Sequence, residues 1–179
     1  MTVALLMIDV QRSFTARDYW DEGQVAPWAR AQRALLDLAS ARGVPVVRIY
    51  HLAPGSGGPF DPAKGLIRPL EGFDDAADVV FEKCVHNAFT DTALEAWLRA
   101  REITRLWVSG IRTEQCCETT TRVASDLGFD VDFVSEATLT FPMQRLGRTW
   151  SADEIRARTE LELEGHFARI VDVASLASE

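Results

Sequence analysis

The sequence predicts a single α/β domain in which a mostly parallel sheet lies between two layers of helices, a Rossmann-like three-layer sandwich. Three observations carry that expectation. Apolar runs of strand length recur along all 179 residues. Several of these runs are too continuous for a strand with one wet face and suit strands buried on both sides. Helical patterns alternate with them, as parallel strands joined by helical crossovers require.

The elements follow in order. Residues 2–8, "TVALLMI", are apolar throughout and end at Asp9. The run is too short for a membrane span and has no basic leader, so it reads as a first strand and not as a signal peptide. Residues 28–42 form a helix expected to start after Pro27 and to stop at Gly43. A second strand is expected at 44–50. Residues 52–75, with "PGSGGPFDPAKG" near their start, are the one long irregular segment, either a surface loop or a wall of a pocket. Their glycines lack the G-x-x-x-x-G-K-[ST] spacing of a phosphate loop. Strand 79–82 leads through Lys83 to helix 92–101, and strand 103–109 runs into helix 114–127, which Gly128 stops. Strand 131–135, helix 152–166 and strand 168–171 complete a domain expected to span residues 1–179, with no repeat or linker dividing it.

Hydrophobic residues make up 47% of the chain, enough for an ample core. The charged 26% is interspersed, and a formal net charge of -8 repels phosphate backbones, which argues against a nucleic-acid partner. The three cysteines, Cys84, Cys116 and Cys117, are an odd number without the spacing of a disulfide framework. They suit a reducing compartment, so a cytoplasmic location without a membrane partner is expected, and thiols remain free for chemistry.

In an open parallel sheet, ligands bind beyond the carboxyl ends of the strands. Asp9 ends the first strand, and Lys83 follows the third and precedes a helix. Singly, an aspartate there reads as a loop or capping residue and a lysine as a solvated charge. Drawn together beside a thiol, they become a base and a cation that favours a thiolate. The fourth strand, "ITRLWVSG", turns into the helix that opens with Cys116 and Cys117. A thiol in a first helical turn is expected to have a lowered pKa, and the amides of that turn suit an oxyanion. Helical spacing does not choose between the two cysteines: Cys116 aligns with Thr120 and Val123, Cys117 with Thr121 and Ala124, and either face suits burial.

Three stretches together resemble the isochorismatase-like cysteine hydrolases, a family that includes nicotinamidases and other amidohydrolases. They are "LLMIDVQRSF", "EKCVHNAFTDTAL" and "VSGIRTEQCCETTTRVASDLGFDV". They are similar to the family's D-x-Q-x-x-F, K-x-x-x-[SN]-A-F-x-x-T-x-L and G-[VI]-x-T-x-x-C-x-x-x-T patterns, in the same order. The resemblance implies the family's hydrolase fold, with Asp9 as general base, Lys83 as the triad lysine and Cys116 as nucleophile. Cys117 falls where the family commonly has valine and so reads as packing. Thr113 and Thr120 stand on the matching threonine positions. The resemblance further implies a cis peptide between Ile111 and Arg112, an oxyanion hole made by the amides of Arg112 and Cys116, and a homo-oligomer, dimer or larger.

Gln11, Phe14, His51 and Phe89 are expected beside a small-molecule substrate. Gln11, like Asn87, also suits an orienting role through hydrogen bonds, and His51 and Phe89 suit purely structural roles equally well. Tyr19 and Trp20 read as the mouth of the cleft or as interface residues. The family's nicotinamidases hold a metal through an Asp-x-His pattern after the second strand. Here that stretch reads "IYH", with Ile49 in place of the aspartate, and His86 and His166 offer no ligand spacing. No metal or other cofactor is therefore expected. The expected function is cysteine-dependent hydrolysis of a small amide-like C–N bond through a thioacyl-enzyme; a metal-dependent nicotinamidase and a non-catalytic binding protein on the same fold are the alternatives.

Overall fold

A computed structural model describes residues 2–179. Its core is a six-stranded sheet in the order β3-β2-β1-β4-β5-β8, and every neighbouring pair is parallel. The strands are β1 (Thr2–Ile8), β2 (Val46–His51), β3 (Val79–Lys83), β4 (Ile103–Ile111), β5 (Asp130–Leu139) and β8 (Arg169–Val171). A hairpin of β6 (Met143–Arg145) and β7 (Arg148–Trp150) stands apart from them.

Alternation along β1 explains the three layers. Leu5 and Met7 point into one core with Trp28, Leu35 and Leu176, whereas Ala4, Leu6 and Ile8 point into a second core with Leu94, Leu98, Ala124 and Leu163. The first core lies under α1 (Glu22–Arg42) and α5 (Val173–Ala177), the second under α2 (Leu94–Arg99), α3 (Glu118–Asp126) and α4 (Ala152–Leu163). A strand buried on both faces must be apolar at consecutive positions, and for that reason residues 2–8 show no period of two.

The sheet also sets the position of any site. The chain runs from β1 outward to β2 and β3, then returns to add β4 on the other flank of β1. The carboxyl ends of β1 and β4 therefore form the point where the winding reverses, the place where open parallel sheets leave a crevice. Gly110 lets the two strands meet there. Its φ is +124°, and a Cβ on it would lie 1.9 Å from the carbonyl oxygen of Ile8, so only glycine fits.

Several boundaries differ from expectation. Helix α1 begins at Glu22, six residues before Trp28, because the Asp21 side chain caps it by accepting a 2.9 Å hydrogen bond from the Gly23 amide. Pro27 sits inside this helix, where its missing N–H removes the bond to the carbonyl of Gly23, an exposed residue of the first turn. The β6–β7 hairpin was not expected. Its turn is Leu146-Gly147, both at positive φ (49° and 75°), and leucine is an uncommon residue at such a turn. The final helix α5 also escaped the periodicity reading because it is only five residues long. Among the described residues, no helix is long and apolar enough to cross a membrane.

Candidate active site

Asp9 follows β1 with φ at 54°, a left-handed conformation that aspartate tolerates better than most residues, and its side chain turns back beneath the surface. Lys83 closes β3. Its register partner on β2 is His51, so the two side chains leave adjacent strand ends together. Cys116 comes from the far flank: β4 ends at Ile111, the Ile111–Arg112 peptide is cis, and a π-helical turn, Thr113–Cys117, leads into α3. Such wide turns are rare and recur at functional sites.

These three elements bring the three residues together. Lys83 Nζ lies 2.9 Å from Asp9 Oδ2 and 3.4 Å from Cys116 Sγ, with both charged side chains essentially sealed from solvent. A third contact, 3.4 Å, runs to His51 Nδ1. An ammonium has three protons to donate, and here each has its own acceptor. His51 Nδ1 must then carry a lone pair, which puts the proton of the neutral imidazole on Nε2.

The electrostatics refine the expected picture. Burial by itself would lower the pKa of Lys83, but the Asp9 carboxylate, helped by Cys116, more than offsets this and raises it, so Lys83 remains a cation. Burial, followed by the charge of Lys83, lowers the pKa of His51 and keeps the ring neutral. The expectation of a lowered pKa at Cys116 is overturned: burial first, then the Asp9 carboxylate, raise it, and the opposing pull of Lys83 does not cancel them. The resting nucleophile candidate is a thiol and needs a base. Among the described residues Asp9 Oδ1 has no hydrogen-bond partner, so it retains a free lone pair beside that thiol.

A cavity of about 220 Å³ opens on this cluster. Asp9, His51 and Cys116 line its floor, Phe14, Tyr19 and Phe60 form aromatic walls, and Arg17, Ala53, His86 and Gln115 complete it. Phe60 and Ala53 come from the irregular segment 52–75, which therefore does shape the pocket. Phe60 meets Phe14 edge to face at 4.9 Å and His51 at 5.6 Å. Cys117 is absent from the lining; it is fully buried in the second core, and burial holds its thiol well above the ordinary range. Cys84 is exposed.

Two residues expected beside the substrate lie outside the cavity lining and take the other roles that the sequence allowed, orientation and packing. Gln11 is wholly buried, and its amide is committed to the scaffold: Oε1 accepts from the His51 amide at 2.8 Å, and Nε2 donates to the His51 carbonyl and to Ser13 Oγ, both at 2.9 Å. It fixes the backbone of His51 and does not line the cavity. Phe89 stacks on Phe129 at 6.0 Å and packs against the second core, away from the cavity. Phe14 and His51 do line it, and so does Tyr19, whereas Trp20 does not.

Supporting contacts were less visible in the sequence. Thr120 Oγ1 accepts from the Ala88 amide at 3.1 Å, tying α3 to the loop that follows Lys83. Thr113 Oγ1 donates to Thr138 Oγ1 at 2.9 Å, which anchors the π turn to β5. The amides of Gln115 and Cys117 both reach the Arg112 carbonyl, leaving the amides of Arg112 and Cys116 outside those two bonds. The Arg112 side chain pairs with Glu114 at 2.8 Å.

A metal does not fit this cluster as it stands. Asp9, His51 and Cys116 place ligand atoms within 4.8 Å of one another, but all three are directed at the Lys83 ammonium, which already supplies the cation. A divalent ion added beside it would face a like charge in a dry site. Ile49, where the metal-binding pattern needs an aspartate, is buried in the second core.

Comparison with known proteins fixes the family. A model of the isochorismatase domain matches residues 3–161. The chain belongs to the isochorismatase family. The isochorismatase family protein YrdC of Bacillus subtilis is 28% identical over 183 residues, covering 98% of this chain and 95% of that protein. Nicotinamidase 3 of Arabidopsis thaliana is 28% identical over 187 residues, covering 97% and 86%. A crystal structure of an isochorismatase from Pseudomonas putida superposes with a TM-score of 0.86 at 27% identity, over 97% of this chain and 89% of that one. The protein is thus a hydrolase of the isochorismatase family, on that family's fold.

Proposed function

We propose that this isochorismatase-family hydrolase cleaves the C–N bond of a small amide, with Cys116 as nucleophile and a thioacyl-enzyme as intermediate. One observation carries the reading: Asp9, Lys83 and Cys116, from three separate strand ends, meet within hydrogen-bonding reach at the floor of one cavity. The similarity to a nicotinamidase supports an amide as the scissile group.

Each step uses a group already in position. As Sγ attacks the carbonyl carbon, Asp9 takes the thiol proton, so no free thiolate has to exist at rest. The amides of Arg112 and Cys116 receive the tetrahedral oxyanion. Lys83 keeps its proton, holds Asp9 in place and offsets the negative charge gathering at the sulfur. Asp9 then returns the proton to the nitrogen, the amine or ammonia leaves, and the thioester remains. Water, deprotonated by Asp9, attacks the thioester carbonyl and releases the acid and the thiol. The dry floor strengthens each electrostatic contact.

A metal-dependent reaction finds no support in this donor set, and a purely binding role gives no reason to bury an aspartate, a lysine and a thiol against one another. Ammonia release from a panel of small amides tests the reading. Turnover is expected in the wild type and its loss in Asp9→Asn and Cys116→Ala, by about 10³-fold or more for removal of a nucleophile or base. Turnover that survives both changes would overturn it.

A further inference from the structure

The charges around the cavity do not cancel, and the excess points to the kind of amide that binds there. Among the described residues Asp9 is the only acid in the lining, and Lys83 already neutralises it. His51 is held neutral. Apart from the imidazole of His86, Arg17 is the remaining ionisable side chain in the lining; it is exposed, and among the described residues it forms no ion pair. The chain as a whole carries a formal charge of -8, so a positive pocket runs against the general field of the protein.

Arg17 is also held in position. It directly follows the short 3₁₀ turn Arg12–Ala16, its amide donates to the Phe14 carbonyl at 3.0 Å, and its guanidinium lies 5.2 Å from the ring of Tyr19. The guanidinium of Arg112 stands 5.0 Å from the same ring, but Glu114 neutralises it. Of the two cations on Tyr19, only Arg17 lines the cavity and lacks a counter-charge. A guanidinium matches a carboxylate with two parallel hydrogen bonds, a geometry that selects as well as attracts.

We propose that Arg17 determines specificity by binding an anionic group of the substrate, so that the substrate is a small amide bearing a carboxylate or similar anion. The volume of about 220 Å³ lies below the range of drug-sized sites and limits the molecule to a few carbons between amide and anion. This inference rests on the hydrolase reading above, and its test separates the two.

Two matched pairs of probes differ mainly in charge. Iodoacetate and iodoacetamide both alkylate thiols, and the rates at Cys116, resolved by peptide mass spectrometry, give a ratio to set against that of free cysteine. Succinamate and succinamide give the corresponding ratio of kcat/KM for ammonia release. In the wild type both ratios should favour the anion. Arg17→Gln should lower each about tenfold, as loss of a charge-assisted hydrogen bond implies, and Arg17→Lys should keep part of the preference. An alkylation ratio that Arg17→Gln leaves unchanged, or iodoacetate that fails to reach Cys116 at all, overturns the inference whatever the turnover. An Arg17-dependent alkylation ratio without ammonia release from either amide would leave anion recognition standing and count against the hydrolase reading.

Discussion

Replacing Lys83 with methionine removes the only cation from a buried cluster while keeping most of its volume. The ammonium now satisfies Asp9 at 2.9 Å, and the two side chains are 0% and 1% exposed. Without it, a carboxylate remains desolvated with no opposing charge, and breaking such a pair from one side costs about 3–5 kcal/mol. For a domain of 179 residues, each kcal/mol lowers Tm by about 2–4 °C, so Lys83→Met should melt about 6–20 °C below the wild type. Asp9→Asn, which strands the ammonium instead, should cost a similar amount. The double variant removes both charges and should be no less stable than either single one, a coupling of at least about 3 kcal/mol. Urea unfolding followed by fluorescence reports this, because Trp28 is 1% exposed and bonded to the Ala137 carbonyl in the native state. Single-variant costs below about 1 kcal/mol that simply add would refute the argument that a buried charge pair holds the floor of the site.

Other outcomes follow from single contacts. Gly110→Ala places a Cβ 1.9 Å from the Ile8 carbonyl oxygen at φ +124°, and should destabilise the fold by about 3 kcal/mol or more in the same unfolding assay; a loss below about 1 would mean that β1 and β4 can part without cost. His51 has a folded pKa below its unfolded value of about 6.5, so the unfolded state protonates first and stability should fall as pH drops through 6.5. His51→Gln should flatten that part of the profile, and an unchanged slope would show that the ring is not the titrating group. Limiting iodoacetamide should label the exposed Cys84 first, Cys116 at the cavity floor second and Cys117 last; early modification of Cys117 would contradict its place in the core.

How much of this was legible in the sequence depends on whether a feature is local. The four central strands were, because burial on both faces leaves continuous runs of apolar residues, and the half-exposed edge strands β3 and β8 showed as shorter apolar runs. The meeting of Asp9, Lys83 and Cys116 was, because each lies at or shortly after a strand end within a stretch of recognisable residue order. The start of α1 was not: Pro27 looks like a first-turn residue, and Asp21 caps the helix six residues earlier. The acidity of Cys116 was misjudged because a helix terminus and a lysine are visible in sequence, whereas desolvation and the nearness of Asp9 exist only after folding. The same holds for Gln11, whose partners lie 40 residues away on His51, and for the link from Thr120 to Ala88. Arg17 carries no motif. Its significance comes from lining a cavity in which the only acid is already paired.

The central claim is that Cys116, and not its neighbour, bonds to the acyl group. An amide found to turn over should be mixed with the wild-type protein, quenched in acid within the first turnovers, and the digest weighed peptide by peptide. The account predicts an added mass equal to the substrate less ammonia or the leaving amine on the peptide carrying Cys116 and Cys117. Fragmentation should place it on Cys116, and it should be missing from Cys116→Ser and unchanged in Cys117→Val. The acyl group found on Cys117 or Cys84, or turnover undiminished in Cys116→Ala, would contradict it.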